Sequence, residues 1–185
     1  MTQFRRVPAN ELPPLYSIVF VCTGNTCRSP MAEAFARDWL KRNCPSCLAR
    51  WRISSAGISA PIGAPASDGA CGAVRVAGLS LDDHKTRRFA AEQAEGALVL
   101  TMTRAQAAVA RRIAPRARVM TISAWAADQD GDVCDPYCGG AAEYSACGAQ
   151  LRKLIDAGLR RMIRSLPPID SAVNESQTSR SEPAP

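Results

Sequence analysis

The 185-residue sequence contains no apolar run near the ~18 residues of a membrane span, and residues 1–14, with three prolines, lack the apolar centre of a secretion signal. A membrane partner is therefore not expected, and the expected location is the cytoplasm. Internal repeats are missing. Aromatic residues make up only 5% of the chain, and no aromatic-interleaved basic stripe or groove-reading motif accompanies its positive charge, so nucleic acid is not an expected partner either. Histidine occurs once, as His84. The net charge of +6 suits a negatively charged substrate, although the basic residues fall in scattered pairs such as Arg87-Arg88 and Arg160-Arg161, which is also the pattern of solvated surface. With 46% hydrophobic residues, the length and composition fit one domain with a sizeable core.

Eight cysteines are present. In a reducing compartment most would be free thiols. Cys44-x2-Cys47 could form half of a zinc site with Cys134, Cys138 or Cys147, but no second pair has a matched spacing, so neither a metal nor a cofactor is expected. Loop and surface thiols plus a buried Cys71 are the expectation.

The chemistry concentrates in residues 18–33, IVFVCTGNTCRSPMAE. β-branched and aromatic residues end in Cys22, a small polar loop follows, and a helix-forming segment resumes with Ser29 at the cap and Pro30 in the first turn. A strand–loop–helix of this kind gathers backbone N–H groups and the positive end of a helix dipole around one concavity, which favours an anion of roughly phosphate size. The same surroundings favour thiolate over thiol at Cys22. Arg28 is spaced to curl over the loop and hold two oxygens of an oxyanion, and Ser29 can donate to the sulfur. Cys-x5-Arg-Ser in this context describes a thiolate attacking phosphorus. The expelled group needs a proton, and Asp135, presented by Asp135-Pro136-Tyr137 in a glycine-bounded loop, is the candidate acid.

Hydrophobic periodicity predicts strands over 17–21, 51–54, 97–102 and 119–122, and helices over 30–43, 70–76, 89–96, 104–113 and 142–166. Thr103 is expected to cap the fourth of these helices. Residues 58–66 and 128–140 read as loops, 1–14 as a flexible lead-in and 167–185 as a disordered tail, leaving a domain over 15–166. Alternating strands and helices predict an α/β fold with a doubly wound parallel sheet.

At residues 18–33 the sequence closely resembles the low-molecular-weight protein tyrosine phosphatase family. The likeness recurs at Ser54-Ser55-Ala56-Gly57, at 83–87, at 98–103 and at Asp135-Pro136-Tyr137, in the family's order from about residue 15 to 166. It implies four strands in the order 2-1-3-4, a cysteine-dependent phosphatase working through a phosphocysteine intermediate, phosphorylated proteins as substrates and inorganic phosphate as product. By the same resemblance Cys22 is the nucleophile, and Thr23, Gly24, Asn25, Thr26, Cys27 and Ser29 complete the phosphate-binding loop with Arg28. Asp135 acts as general acid and then as base. Ser55 and His84, with Asn25 and Ser29, form a hydrogen-bonded support for the loop, and Cys27 can pair reversibly with Cys22 under peroxide.

Four features bear on the substrate. Thr26 stands where tyrosine-specific relatives usually carry a branched aliphatic residue and resembles the bacterial protein arginine phosphatase branch. No aromatic occurs in 59–66, Tyr137 is not followed by a second aromatic, and Thr103 replaces a frequent acidic residue. Phosphoarginine is therefore favoured over phosphotyrosine, the alternative being a tyrosine phosphatase proper. A thioredoxin-coupled arsenate reductase would need resolving cysteines in 103–118, where there are none, and has glutamine where Pro30 stands here. A non-catalytic oxyanion-binding redox module would have no use for the combination of Cys22, Arg28 and Asp135.

Overall fold

The computed structural model describes residues 16–126 and 131–165; the expected lead-in and tail lie outside them, as does the start of the 128–140 loop. Four strands, β1 (Tyr16–Cys22), β2 (Trp51–Gly57), β3 (Leu98–Thr101) and β4 (Arg118–Thr121), form one parallel sheet in the order β2-β1-β3-β4. This is the expected order. The helices are α1 (Arg28–Asn43), α2 (Asp68–Arg75), α3 (Arg104–Ile113), α4 (Ile122–Ala126) and α5 (Ala141–Arg164).

Period-2 alternation along β1 separates two cores. Ile18 and Phe20 face one that includes Met31, Phe35 and Leu40 of α1 and Leu151, Ile155 and Leu159 of α5. Val19 and Val21 face a smaller one with Val99 and with Ala110 of α3. With both faces covered, β1 reads as a continuous apolar run, as expected of a central parallel strand. Fully burying each such side chain contributes roughly 1.5–3 kcal/mol, an upper bound set by the extended-chain reference. Gly158 permits the closest helix contact on the larger side, because a Cβ there would lie 2.3 Å from the Trp125 ring of α4.

Several local expectations need correction. Helix α1 starts at Arg28 with Cys27 in the cap position and no side-chain cap, so Ser29 lies inside the first turn, its hydroxyl engaged by groups of the loop. Residues 45–50 form a 3₁₀ turn rather than loop, whereas the helix expected over 89–96 is only a 3₁₀ turn at 91–94. Strand β2 continues through Gly57, opposite Cys22 in register, instead of ending at Ser54. Helix α2 begins earlier than expected, at Asp68, because Ser67 accepts from the Ala70 N–H. Ile122 opens α4 rather than ending β4. Cys44 and Cys47 are joined in a disulfide, and Cys71 is only partly buried; the enclosed free thiols are Cys22, Cys27 and Cys147. Their neighbours explain this, since Cys147 is on the core face of α5 while Cys71 falls at the margin of α2's buried face, between buried Ala70 and exposed Gly72.

Candidate active site

The parallel register brings the ends of β1 and β2 level, with Cys22 beside Gly57, and the loop 22–28 leaves from that edge. Open α/β sheets bind ligands at this edge. Gly57 is required by close approach: a Cβ there would stand 2.6 Å from the Thr23 carbonyl oxygen and 2.8 Å from the Asn25 nitrogen.

The loop's carbonyls are tied outward. Those of Cys22 and Thr23 accept from the Ile58 and Ser59 N–H groups, that of Thr26 from Ser67 and that of Cys27 from Met31, at 2.9–3.2 Å. The Asn25 carbonyl accepts from His84 Nε2 at 2.8 Å, which fixes the proton of that ring on Nε2. In a trans peptide the following N–H points the opposite way, so the amides of Thr23, Gly24, Thr26, Cys27 and Arg28 are turned away from these partners. Asn25 N–H itself lies 3.3 Å from Cys22 Sγ. Five outward carbonyls and a helix start thus make the cradle expected from the sequence.

Asn25 holds the curve. It is fully buried with φ 56°, a left-handed conformation that asparagine tolerates better than most residues. Its Nδ2 donates to Ser29 Oγ at 2.9 Å and to Ser55 Oγ at 3.0 Å, and its Oδ1 accepts from Arg87 N–H at 2.9 Å. Ser29 Oγ lies 3.0 Å from Cys22 Sγ, so the expected support of Asn25, Ser29, Ser55 and His84 is brought together around the sulfur.

Arg28 is buried, and its guanidinium donates to the Val133 carbonyl and to Asp135 Oδ2. Its Nε is enclosed without a hydrogen-bond partner among the described residues, an unmet donor beside the cradle. Asp135 is about half exposed where Arg28 is not, and its other oxygen accepts from Tyr137 N–H at 3.2 Å. A cleft of about 310 Å³ is floored by loop residues including Cys22, Thr26 and Arg28 and walled by Pro61, Asp135 and Tyr137. A larger cleft of about 680 Å³ lies between α2 and α5, and Cys22 is not among its lining residues.

Of the site residues singled out from sequence, Cys22, Thr23, Gly24, Thr26, Cys27, Arg28, Asp135 and Tyr137 line this cleft, while Asn25, Ser29, Ser55 and His84 do not line it and join it through their hydrogen bonds to the loop. Sequence reasoning missed three neighbouring groups. Gln106 accepts from the Met102 and Thr103 N–H groups through Oε1 and donates to Thr23 Oγ1 at 3.0 Å through Nε2. The signal was available in Thr103-x-x-Gln106, a capping pair whose amide has donors to spare. Glu33 accepts from Ser55 Oγ at 2.7 Å, and Tyr144 approaches Cys27; nothing local in the sequence marks either. Behind the loop, burial pushes the Cys147 thiol up to about 12 despite the opposing pull of Arg28. Among the described residues no group of three or more His, Cys, Asp or Glu side chains could hold a metal ion, and no helix is long and apolar enough to cross a membrane.

The chain matches the family described as "Low molecular weight phosphotyrosine protein phosphatase" over residues 17–167. It is 33% identical to a protein-arginine-phosphatase of Geobacillus stearothermophilus over 144 residues, covering 76% of this chain and 92% of the relative. It is 37% identical to the low molecular weight protein-tyrosine-phosphatase Wzb of Salmonella typhi over 123 residues, covering 65% and 76%. The solved structure of the YwlE arginine phosphatase from Geobacillus stearothermophilus superposes with a TM-score of 0.73 at 32% identity, covering 80% of this chain and 94% of that one. On the family match, the identities and the shared fold, the chain belongs to the low molecular weight phosphotyrosine protein phosphatase family and is a hydrolase.

Proposed function

We propose that this phosphatase hydrolyses phosphoarginine in proteins in preference to phosphotyrosine, through a phosphocysteine intermediate. The observation that carries the preference is the composition of the cleft. Half-buried Thr26 lies on its floor, Tyr137 is the one aromatic on its walls, and the opposite wall is Pro61. A phosphotyrosine slot lacking a second ring forgoes ~0.5–1.5 kcal/mol of stacking. A planar, polar guanidinium instead gains from the threonine hydroxyl on the cleft floor.

In the first step the Cys22 thiolate attacks phosphorus; the S–P bond forms as the P–N bond breaks, and Asp135, entering protonated, delivers its proton to the departing guanidine nitrogen. The loop amides and Arg28, including its unmet Nε–H, carry the equatorial oxygens. In the second step Asp135 takes a proton from water, the hydroxide attacks phosphorus, and phosphate leaves as the thiolate is restored. Substrate must also part Arg28 from Asp135, since the two are paired. Cys22 and Cys27 form a redox pair in this reading, and a compartment that keeps Cys22 reduced, the cytoplasm, suits it.

The test is turnover of phosphoarginine and phosphotyrosine peptides of matched sequence. A higher kcat/KM on phosphoarginine, with 32P trapped on Cys22 after acid quench and no turnover by Cys22→Ser, is expected. A higher kcat/KM on phosphotyrosine would return the protein to the tyrosine class represented by the Salmonella relative.

A further inference from the structure

The buried Cys27 thiol lies 3.2 Å from Ser67 Oγ and 3.3 Å from the Tyr144 hydroxyl, and those two hydroxyls lie 3.2 Å from each other. Three groups in mutual contact close a ring in which each can donate one hydrogen and accept another. Ser67 Oγ is also the N-cap of α2, accepting from Ala70 N–H at 3.3 Å. Ser67 donates to Tyr144, which leaves the phenol hydrogen to Tyr144's other partner, the Cys27 sulfur. Burial first, and then the contact with Cys27, raises the Tyr144 pKa, so the phenol keeps its hydrogen for this purpose. Gly69 makes room for the ring, since a Cβ there would fall 2.4 Å from the Tyr144 side chain. The phosphoryl-transfer steps use neither Ser67 nor Tyr144.

We infer that Tyr144, with Ser67, is a positioning residue for reversible oxidation of the active site, preparing the Cys27 sulfur to close on an oxidised Cys22. This rests on reading Cys22 as the nucleophile and Cys22–Cys27 as a redox pair. The oxidant is a hydroperoxide. Its O–O bond breaks on the Cys22 thiolate, leaving Cys22 as the sulfenic acid and expelling hydroxide or an alkoxide, which takes a proton from solvent to leave as water or an alcohol. Cys27 then gives up its proton and attacks the Cys22 sulfur; the S–S bond forms, the S–O bond breaks, and the hydroxide departs as water with that proton. Two equivalents of an external thiol restore both cysteines and are themselves oxidised to a disulfide. A hydrogen bond donated to sulfur favours its anionic form, the form that attacks. Closure must outrun further oxidation of Cys22 to the sulfinic acid, which thiols do not reverse.

The experiment compares the full-length wild type with Tyr144→Phe and Ser67→Ala. Dephosphorylation kcat/KM and the rate of initial inactivation by hydrogen peroxide are expected to stay within about twofold in Tyr144→Phe, because neither step uses the Tyr144 hydroxyl. The rate of Cys22–Cys27 disulfide formation, read by rapid alkylation and peptide mass, is expected to fall at least about fivefold, with a matching fall in the activity that dithiothreitol recovers. Ser67→Ala should move closure in the same direction. Closure at the wild-type rate in both variants overturns the inference. So does loss of kcat/KM in both, which would make the ring a support of the loop. A wild type that forms no Cys22–Cys27 disulfide overturns the redox pairing itself while leaving Cys22 as nucleophile.

Discussion

In the proposed reaction two residues carry most of the chemistry beyond the nucleophile, and each supports a separable prediction. If Asp135 protonates the leaving group, Asp135→Asn should slow phosphopeptide hydrolysis by ~10²-fold or more but cleavage of an activated aryl phosphate far less, since a stable phenolate departs unaided. Steady-state rates on both substrates check this, and equal slowing would remove Asp135 from the mechanism. Thr26 is half buried on the cleft floor, its hydroxyl 3.5 Å from Cys27 Sγ. Replacing it with isoleucine trades a polar contact for apolar surface and should move the ratio of kcat/KM values from phosphoarginine toward phosphotyrosine by roughly tenfold, about the weight of one hydrogen bond. A parallel change on both substrates would show that Thr26 does not discriminate. The loop residues 22–29 were legible because they are contiguous, so that spacing alone describes the cradle. Glu33, Ser67 and Tyr144 were not, because their roles depend on partners 22, 40 and 117 residues away.

Among the elements, β2 is the one whose end must not change. Gly57 is pinned on both sides, its N–H to the Arg87 carbonyl at 2.9 Å and its carbonyl to Phe89 N–H at 2.8 Å, so the strand cannot retreat from an added methyl. Gly57→Ala should therefore press on the Thr23 and Asn25 backbone, costing about 1–3 kcal/mol of stability and at least about tenfold in kcat/KM. Gly72→Ala is the control, since nothing lies within 4 Å of a Cβ there. On α2 it should be neutral or stabilising by about 0.5–1 kcal/mol. Thermal denaturation and peptide kinetics on both variants decide the point. Long periodic elements such as α1 and α5 were readable from sequence. The 45–50 turn and α4, at six and five residues, are too short to show a period, and the start of α1 was misplaced because a cysteine holds its cap without a capping side chain.

At the scale of the molecule, the larger core encloses a thiol that is hard to ionise. Burial raises Cys147 from 9.0 to about 12. Below pH 9 both folded and unfolded chains keep this proton and its contribution to stability is whole; between about 9 and 12 the unfolded chain loses the proton first, and stability falls as pH rises. Melting temperatures from pH 8 to 11 should therefore decline less steeply for Cys147→Ala than for the wild type. Identical slopes would place the thiol's ionisation outside the unfolding equilibrium.

The hydrogen bonds that hold Asn25 reach Ser55, His84 and Arg87, 30, 59 and 62 residues along the chain, and Gln106 reaches back 83 residues to Thr23. None of these can close before the distant segments that carry their partners have docked against the loop. During refolding, local helix formation and collapse will run ahead of such long-range closures. Dephosphorylation should then return no sooner than the slowest spectroscopic phase, which makes regained turnover a clock for the final docking of the sheet's C-terminal edge.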